Sequence, residues 1–344
     1  MEQEPHGVDV GPVSAWLEAH VAGARAPFGF ELIAGGHSNL TYRVTGADGA
    51  RFVLRRPPLG HLLASAHDMG REHRIIAALA GSVPVAPALG YCDDGAVNGA
   101  PFYVMRFVDG LVVRDRAEAE ASLTLAARRR VGDSLIDTLV AIHAVDLERV
   151  GLADLGRHEG YIARQLKRWY GQWQAQRTRD LPAVDQVHEA LAARIPEQGA
   201  ASVVHGDYRL DNCMVTAAGD VAAVLVWEIC TLGDPLADIG LLMVYWTGPD
   251  DATSAWEGSA TTAPGFPNRA ALAERYAAVS GRDLSQLGFY VAFAAWKLAC
   301  VLEGVYARYL GGALGERDEA DLAPFTRQVE AAAAMAAAEL DRLA

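Results

Sequence analysis

The hydrophobic period of this chain changes once, near Asp109-Gly110, and that switch limits the fold more than any single motif does. From Phe28 to about Phe107, β-branched and aromatic residues alternate in "FELIAGGHSNLTYRV", "RFVLRR" and "PFYVMRFV", with glycine-rich turns between them. A period of two is the signature of half-buried strands. One helix interrupts them: in "DMGREHRIIAALAG", Ile75, Ile76, Leu79 and Ala80 recur at helical spacing and Gly81 ends the run. Beyond Asp109-Gly110 the pattern turns helical. "ARRRVGDSLIDTLVAIHAV" puts Val131, Leu135, Leu139 and Ile142 on one face, and the stretches around Trp169, Tyr276, Trp296 and the alanine-rich end keep that period. Only Val203 to Val226 returns to strands and loops. The expectation is an α+β chain. It has a small β-rich lobe with one main helix over residues 1–108, a hinge at about 105–110, and a larger helical lobe over 109–344.

Charge and cysteine usage narrow the partners. The 30 Lys+Arg against 43 Asp+Glu give −13, which argues against nucleic acid or an anionic membrane as the main partner. An anionic ligand in a local basic pocket stays compatible with that balance. Cys92, Cys213, Cys230 and Cys300 are widely spaced with no CxxC, the pattern of reduced, buried thiols in a cytoplasmic protein. The start, "MEQEPHGVDV", has neither the basic nor the apolar region of a targeting segment. The longest apolar stretch, "GFYVAFAAWKLACVL", is broken by Lys297 and reads as a buried helix rather than a membrane span.

Chemistry concentrates in "VVHGDYRLDNCMV", where Asp207 precedes Asn212 by five positions in a polar loop entered from an apolar run. Phosphoryl transfer to a hydroxyl needs a carboxylate to orient and deprotonate the attacking oxygen and an oxygen ligand for a metal ion, and an Asp and an Asn at this spacing can supply both. The same pair also suits a simple Asx turn. No Walker A pattern occurs in the chain, and neither does a GxSxG elbow or an HExxH that would favour a hydrolase built on His205 and Asp207.

Taken with "AVLVWEICTLGDPLADIGLLM", "GGHSNLTYRV", "RFVLRRPP", "GREHRIIAAL", "PFYVMRFVDG" and "VYARYLGGALG", this loop resembles the aminoglycoside phosphotransferase and choline kinase-like superfamily. Within it, the chain is most similar to the branch of the kinase-like domain fused to certain acyl-CoA dehydrogenases. The resemblance implies a bilobal protein-kinase-like fold and a transferase using ATP or GTP with Mg²⁺ on a small-molecule hydroxyl. It implies that Asp207 is the catalytic base, that His205 anchors the loop, that Arg209 sits beside the base, and that Asn212 is a metal ligand. Arg55 takes the slot of a strand lysine that contacts nucleotide phosphates, with Glu72 as its partner on the small-lobe helix. Gly35, Gly36, Ser38 and Asn39 would cover the phosphates. Met105 to Val108 would be the hinge, with the backbone about Met105 and Phe107 meeting the adenine edge. Asp234 and Asp238 are expected to brace the loop through backbone hydrogen bonds, and Trp227 to pack.

One position departs from the pattern. Relatives would read "VLDWE" where this chain reads "VLVWE", so Val226, fourteen positions after Asn212, replaces an expected metal-binding Asp. Glu228 points the same way if the segment is extended but lies about 7 Å further along. The reading is therefore a phosphotransferase impaired by Val226, with a nucleotide- or metabolite-binding pseudokinase as the alternative. The acceptor is expected to be a hydroxylated metabolite such as a hydroxyacyl-CoA in preference to an aminoglycoside. Its contacts are expected along Tyr161 to Trp173 and Trp296 to Tyr309, where aromatics mix with Arg and Lys.

Overall fold

Strand alternation in the first third of the chain sorts side chains onto two faces of one sheet. The computed structural model describes residues 5–34, 39–59, 67–249, 251, 258–312 and 319–343. In chain order it begins with α1 (Val10–His20), β1 (Gly29–Ala34), β2 (Leu40–Thr45), β3 (Arg51–Arg56), α2 (Met69–Leu79), β4 (Ala88–Cys92), α3 (Gly95–Asn98) and β5 (Phe102–Arg106). The strands form an antiparallel sheet in the order β1-β2-β3-β5-β4. Tyr42, Val44, Leu54, Phe102 and Val104 point to one face and share a core with Val13 and Leu17 of α1. Full burial of each such side chain stabilises by about 1.5–3 kcal/mol. The other face carries Thr41, Arg55 and Tyr103, which lie side by side because Arg55 pairs with Thr41 on one neighbour and with Tyr103 on the other.

The sequence pattern starts the ordered lobe at Phe28, and α1 lies before it. Only Val13 and Leu17 of that helix are buried, too few to leave a periodic signature.

The remainder is α4 (Arg116–Ser122), α5 (Leu125–His143), α6 (Tyr161–Gln176), α7 (Pro182–Ala192), β6 (Ser202–Val204), β7 (Cys213–Val215), β8 (Val221–Val224), β9 (Thr231–Gly233), α8 (Leu236–Tyr245), α9 (Arg269–Ser280), α10 (Leu287–Leu310) and α11 (Glu319–Asp341). The chain divides into two compact units, Met1–Asp109 with Ala222–Glu228, and Gly110–Val221 with Ile229–Ala344. The larger lobe was expected to run from 109 to 344 with strands and loops around Val203 to Val226. The segment Ala222–Glu228 belongs to the first unit, where Val224 N–H donates to Pro84 O at 2.8 Å.

The core of the second unit is built on α10, which packs against α6, α8 and α11. By length and composition α10 could cross a membrane, yet 67% of its most apolar window is buried inside the unit. Phe289, Phe293, Trp296 and Cys300 face this core. All four cysteines are free and buried. The α8–α10 contact depends on Gly240, where a Cβ would lie 2.6 Å from the Tyr290 carbonyl oxygen. Backbone cannot yield as a flexible side chain can, so overpacking here is costly. Gly240→Ala is expected to lower the free energy of unfolding by about 1–3 kcal/mol, read by chemical denaturation.

Candidate active site

In the first unit, the helical period sets up a buried charge. Glu72 shares the face of α2 that buries Ile75, Ile76 and Leu79, so its carboxylate enters the interior and needs partners. It has three. Tyr103 Oη donates at 3.0 Å, Asn39 Nδ2 at 2.9 Å, and Arg55 Nε lies 3.3 Å away. Burial pushes the Glu72 carboxyl above its usual range, and the Arg55 guanidinium opposes that rise. Arg55 also pairs with Glu228. Asn39 Nδ2 donates to Glu228 at 3.0 Å while its Oδ1 faces His67 Nδ1 at 2.8 Å. Two carboxylates thus converge on one guanidinium and one amide. Glu228 is engaged by Arg55 and Asn39 rather than held ready at position 226.

Val226 itself has a left-handed backbone, with φ of 60°. An L-residue pays roughly 1–2 kcal/mol there, and a β-branched side chain is the poorest fit, whereas Asn and Asp tolerate it. The next residue, Trp227, is buried and donates from Nε1 to Val224 O at 3.1 Å.

The remaining small-lobe residues divide as follows. Met105 is buried in β5 opposite Val53 and Ala88, and Phe107 lies under the Arg51 guanidinium, 4.6 Å from ring centroid to Cζ. Gly35, Gly36 and Ser38 lie outside the described residues.

In the second unit, the loop after β6 is held from behind by Asp238, which is fully buried. Its Oδ2 accepts from His205 N–H at 2.7 Å and its Oδ1 from Gly206 N–H at 2.8 Å. His143 Nε2 lies 3.2 Å from Oδ2, and His143 Nδ1 faces the Tyr276 hydroxyl at 2.8 Å. Those partners place the imidazole proton on Nε2. Burial pulls His143 below its usual value. Burial alone would raise Asp238, but the hydrogen bonds from His143 and Gly206 N–H hold its carboxyl low. Gly206 has φ of 85°, and a Cβ there would meet Ile229 at 3.2 Å.

The loop's front face presents Asp207. Asp207 N–H reaches His205 Nδ1 at 3.2 Å, and Asn212 Nδ2 donates to Asp207 O at 2.8 Å and to its Oδ2 at 2.7 Å. Arg209 Nε lies 3.7 Å from Asp207 Oδ1, and its Nη1 is 3.2 Å from Asp211. Lys297 Nζ donates to Gly206 O at 3.3 Å. Burial draws the Lys297 ammonium below its usual value, against the pull of Asp207 and Asp238. Beside Arg209 opens a cavity of about 520 Å³ lined in part by Arg114, Asp211, Tyr245 and Arg327.

Asp207, His205, Arg209 and Asn212 therefore gather on one loop, and Arg55, Glu72 and Asn39 in one cluster. The sequence reading missed His143 and Tyr103, and it placed Lys297 only within the stretch expected to meet the acceptor. Lys297 was detectable as a lone charge in an apolar helix; His143 was not, because its partner is 95 residues away. The aromatic stretches expected to meet the acceptor divide: Trp169, Tyr170, Tyr306 and Tyr309 are partly exposed. Tyr161, Trp173 and Trp296 are buried in the core that also holds Phe289 and Phe293, so they pack rather than line an open surface.

Residues 29–290 match the model of the phosphotransferase enzyme family. Mouse acyl-CoA dehydrogenase family member 10 is 36% identical over 282 residues, which cover 80% of this chain and 26% of that protein. The chain spans about a quarter of that relative's length. The crystal structure of a candidate aminoglycoside phosphotransferase from Ralstonia eutropha JMP134 has a TM-score of 0.82 at 32% identity, covering 97% of this chain and 98% of that one. The GDP and kanamycin complex of an aminoglycoside phosphotransferase of type IIIa has a TM-score of 0.63 at 15% identity, covering 94% and 98%. That last likeness shows a shared fold.

Two outcomes follow from the geometry. Val226→Asn is expected to raise the unfolding free energy by about 1 kcal/mol, without metal or nucleotide, in chemical denaturation. The low-lying His143 and Asp238 both make the fold sensitive to acid. Stability is lost as pH falls below about 6.5, where the unfolded chain's histidine binds a proton that the native one resists, and again below 3.8 as Asp238 is neutralised. His143→Gln should flatten the upper part of a melting-temperature profile between pH 7 and 5.

Proposed function

This chain belongs to the phosphotransferase enzyme family, and from that premise we propose that it transfers the terminal phosphoryl group of ATP or GTP to a hydroxyl of a small molecule, with turnover held low by Val226. The observation that carries the reading is the loop of Asp207, whose carboxylate is fixed by Asn212 at 2.7 Å while Asp238 clamps the backbone on its other side. Positioning of this kind supplies much of the catalysis in phosphoryl transfer. The acceptor hydroxyl oxygen bonds to the γ-phosphorus, the nucleoside diphosphate leaves, and the hydroxyl proton passes to Asp207. Arg55, with Nε beside Glu72 and a terminal nitrogen on Glu228, keeps further donors of its five for phosphate oxygens.

Magnesium meets an incomplete donor set. Asn212 spends its amide nitrogen on Asp207 and offers only Oδ1, and Val226 offers nothing. Among the described residues no group of three or more His, Cys, Asp or Glu gathers to hold a metal. The donor set for the ion is thus short of the carboxylate that position 226 would supply. Val226 also favours a second reading, a nucleotide-binding protein without turnover.

For the acceptor we favour a hydroxylated metabolite of hydroxyacyl-CoA type, supported by likeness to a relative named for acyl-CoA dehydrogenation. The kanamycin of a neighbour at 15% identity carries less weight. Free, buried cysteines support a cytoplasmic location.

Val226→Asp tests the reading directly. It supplies an oxygen donor in a backbone geometry that suits Asp, and turnover with Mg²⁺ is expected to rise on the order of a thousandfold, since metal stabilisation is worth several kcal/mol and about 1.4 kcal/mol is tenfold. Asp207→Asn in that background should abolish the gain. No gain in turnover or in Mg²⁺-dependent nucleotide affinity would hand the argument to the binding protein.

A further inference from the structure

The cavity beside Arg209 has an unbalanced charge. Its two carboxylates are committed: Asp115 Oδ1 caps α4 by accepting from Glu118 N–H at 2.8 Å, and Asp211 pairs with Arg209 at 3.2 Å. Arg209 lies flat against the apolar wall, 4.6 Å over the Tyr245 ring. The two other guanidiniums, Arg114 and Arg327, are exposed, and among the described residues no carboxylate pairs with either side chain. Three guanidiniums and two carboxylates thus line a hollow of about 520 Å³ next to the residue that touches Asp207, with the Glu118 carboxylate at its edge accepting from the Arg114 backbone N–H at 2.8 Å. Guanidiniums recognise carboxylate and phosphate by paired hydrogen bonds. A polycation would meet like charges instead, a mismatch that costs affinity and selects against the wrong partner.

We propose that this cavity is the acceptor subsite, and that Arg114 and Arg327 hold the anionic group, carboxylate or phosphate ester, of a hydroxylated small molecule whose hydroxyl is presented toward Asp207. The assignment rests on the phosphotransferase reading and adds to it the charge class of the substrate and the two residues that select it. It moves the specificity determinants from the aromatics of α6 and α10 to the start of α4 and one face of α11.

The test is isothermal titration of the full chain with AMP-PNP, and, in its presence, with 3-hydroxybutyrate, 3-hydroxybutyryl-CoA and kanamycin. The first two separate a carboxylate from a phosphate source of the anion; kanamycin is the polycation. At least one anionic probe is expected to bind, more weakly at high salt. The double variant Arg114→Gln/Arg327→Gln should weaken it by about tenfold or more, the double lysine variant, which keeps the charge but not the paired hydrogen bonds, should fall between the two, and AMP-PNP affinity should stay within about twofold throughout. The proposal is overturned if kanamycin binds in place of the anions, if the glutamine variant leaves anion affinity unchanged, or if it weakens AMP-PNP equally. It is also overturned if AMP-PNP binds and no anionic probe does, a result that leaves the phosphotransferase reading standing. Failure of AMP-PNP to bind would remove both.

Discussion

A single buried carboxylate organises the loop that carries Asp207. Asp238 accepts two consecutive backbone N–H groups, of His205 and Gly206, and faces an imidazole whose other nitrogen meets Tyr276. A charge so far from water persists only if its lone pairs are filled. The demand works in both directions: the loop satisfies Asp238, and Asp238 fixes the turn from which Asp207 projects. Because Gly206 adopts φ of 85°, the chain reverses at that point, and Asn212 then finds both the backbone oxygen and the carboxylate of Asp207 within reach. Asp207 itself is left partly open, with 30% of its side chain exposed.

The first unit solves a comparable problem with the charges reversed in number. Glu72 and Glu228 outnumber Arg55, and the difference is spread over Asn39, Tyr103 and His67 by hydrogen bonds. An excess of negative charge held around one guanidinium keeps that cation in place while leaving it underused.

What the sequence could announce was set by period and by short-range chemistry. The spacing of Ile75, Ile76 and Leu79 defined α2 and, with it, the inward turn of Glu72; the alternation in "RFVLRR" put Arg55 on the polar face of β3. Asp207 and Asn212 were readable because five residues of loop bring them together. Other features depend on contacts remote in sequence. His143 ends an amphipathic helix and acquires meaning only opposite Asp238. Trp173 and Trp296 looked like lining because they sit beside Lys and Arg, but they pack in the core, and Lys297 turns inward to the Gly206 carbonyl. The φ of Val226 left no trace in composition, since any residue can be written at any position and only the folded chain reveals which conformation it must accept.

The return of Ala222–Glu228 to the first unit carries a consequence for how such a chain can be divided. A gene fragment ending at Asp109 would encode the sheet, Arg55, Glu72 and Asn39, yet would omit Glu228 and the stretch anchored at Pro84. Arg55 would keep one carboxylate, and the edge at Pro84 would lose its hydrogen bond. The small unit is therefore not a cassette that one cut can free: a fragment keeping its contacts needs a sequence more than a hundred residues downstream.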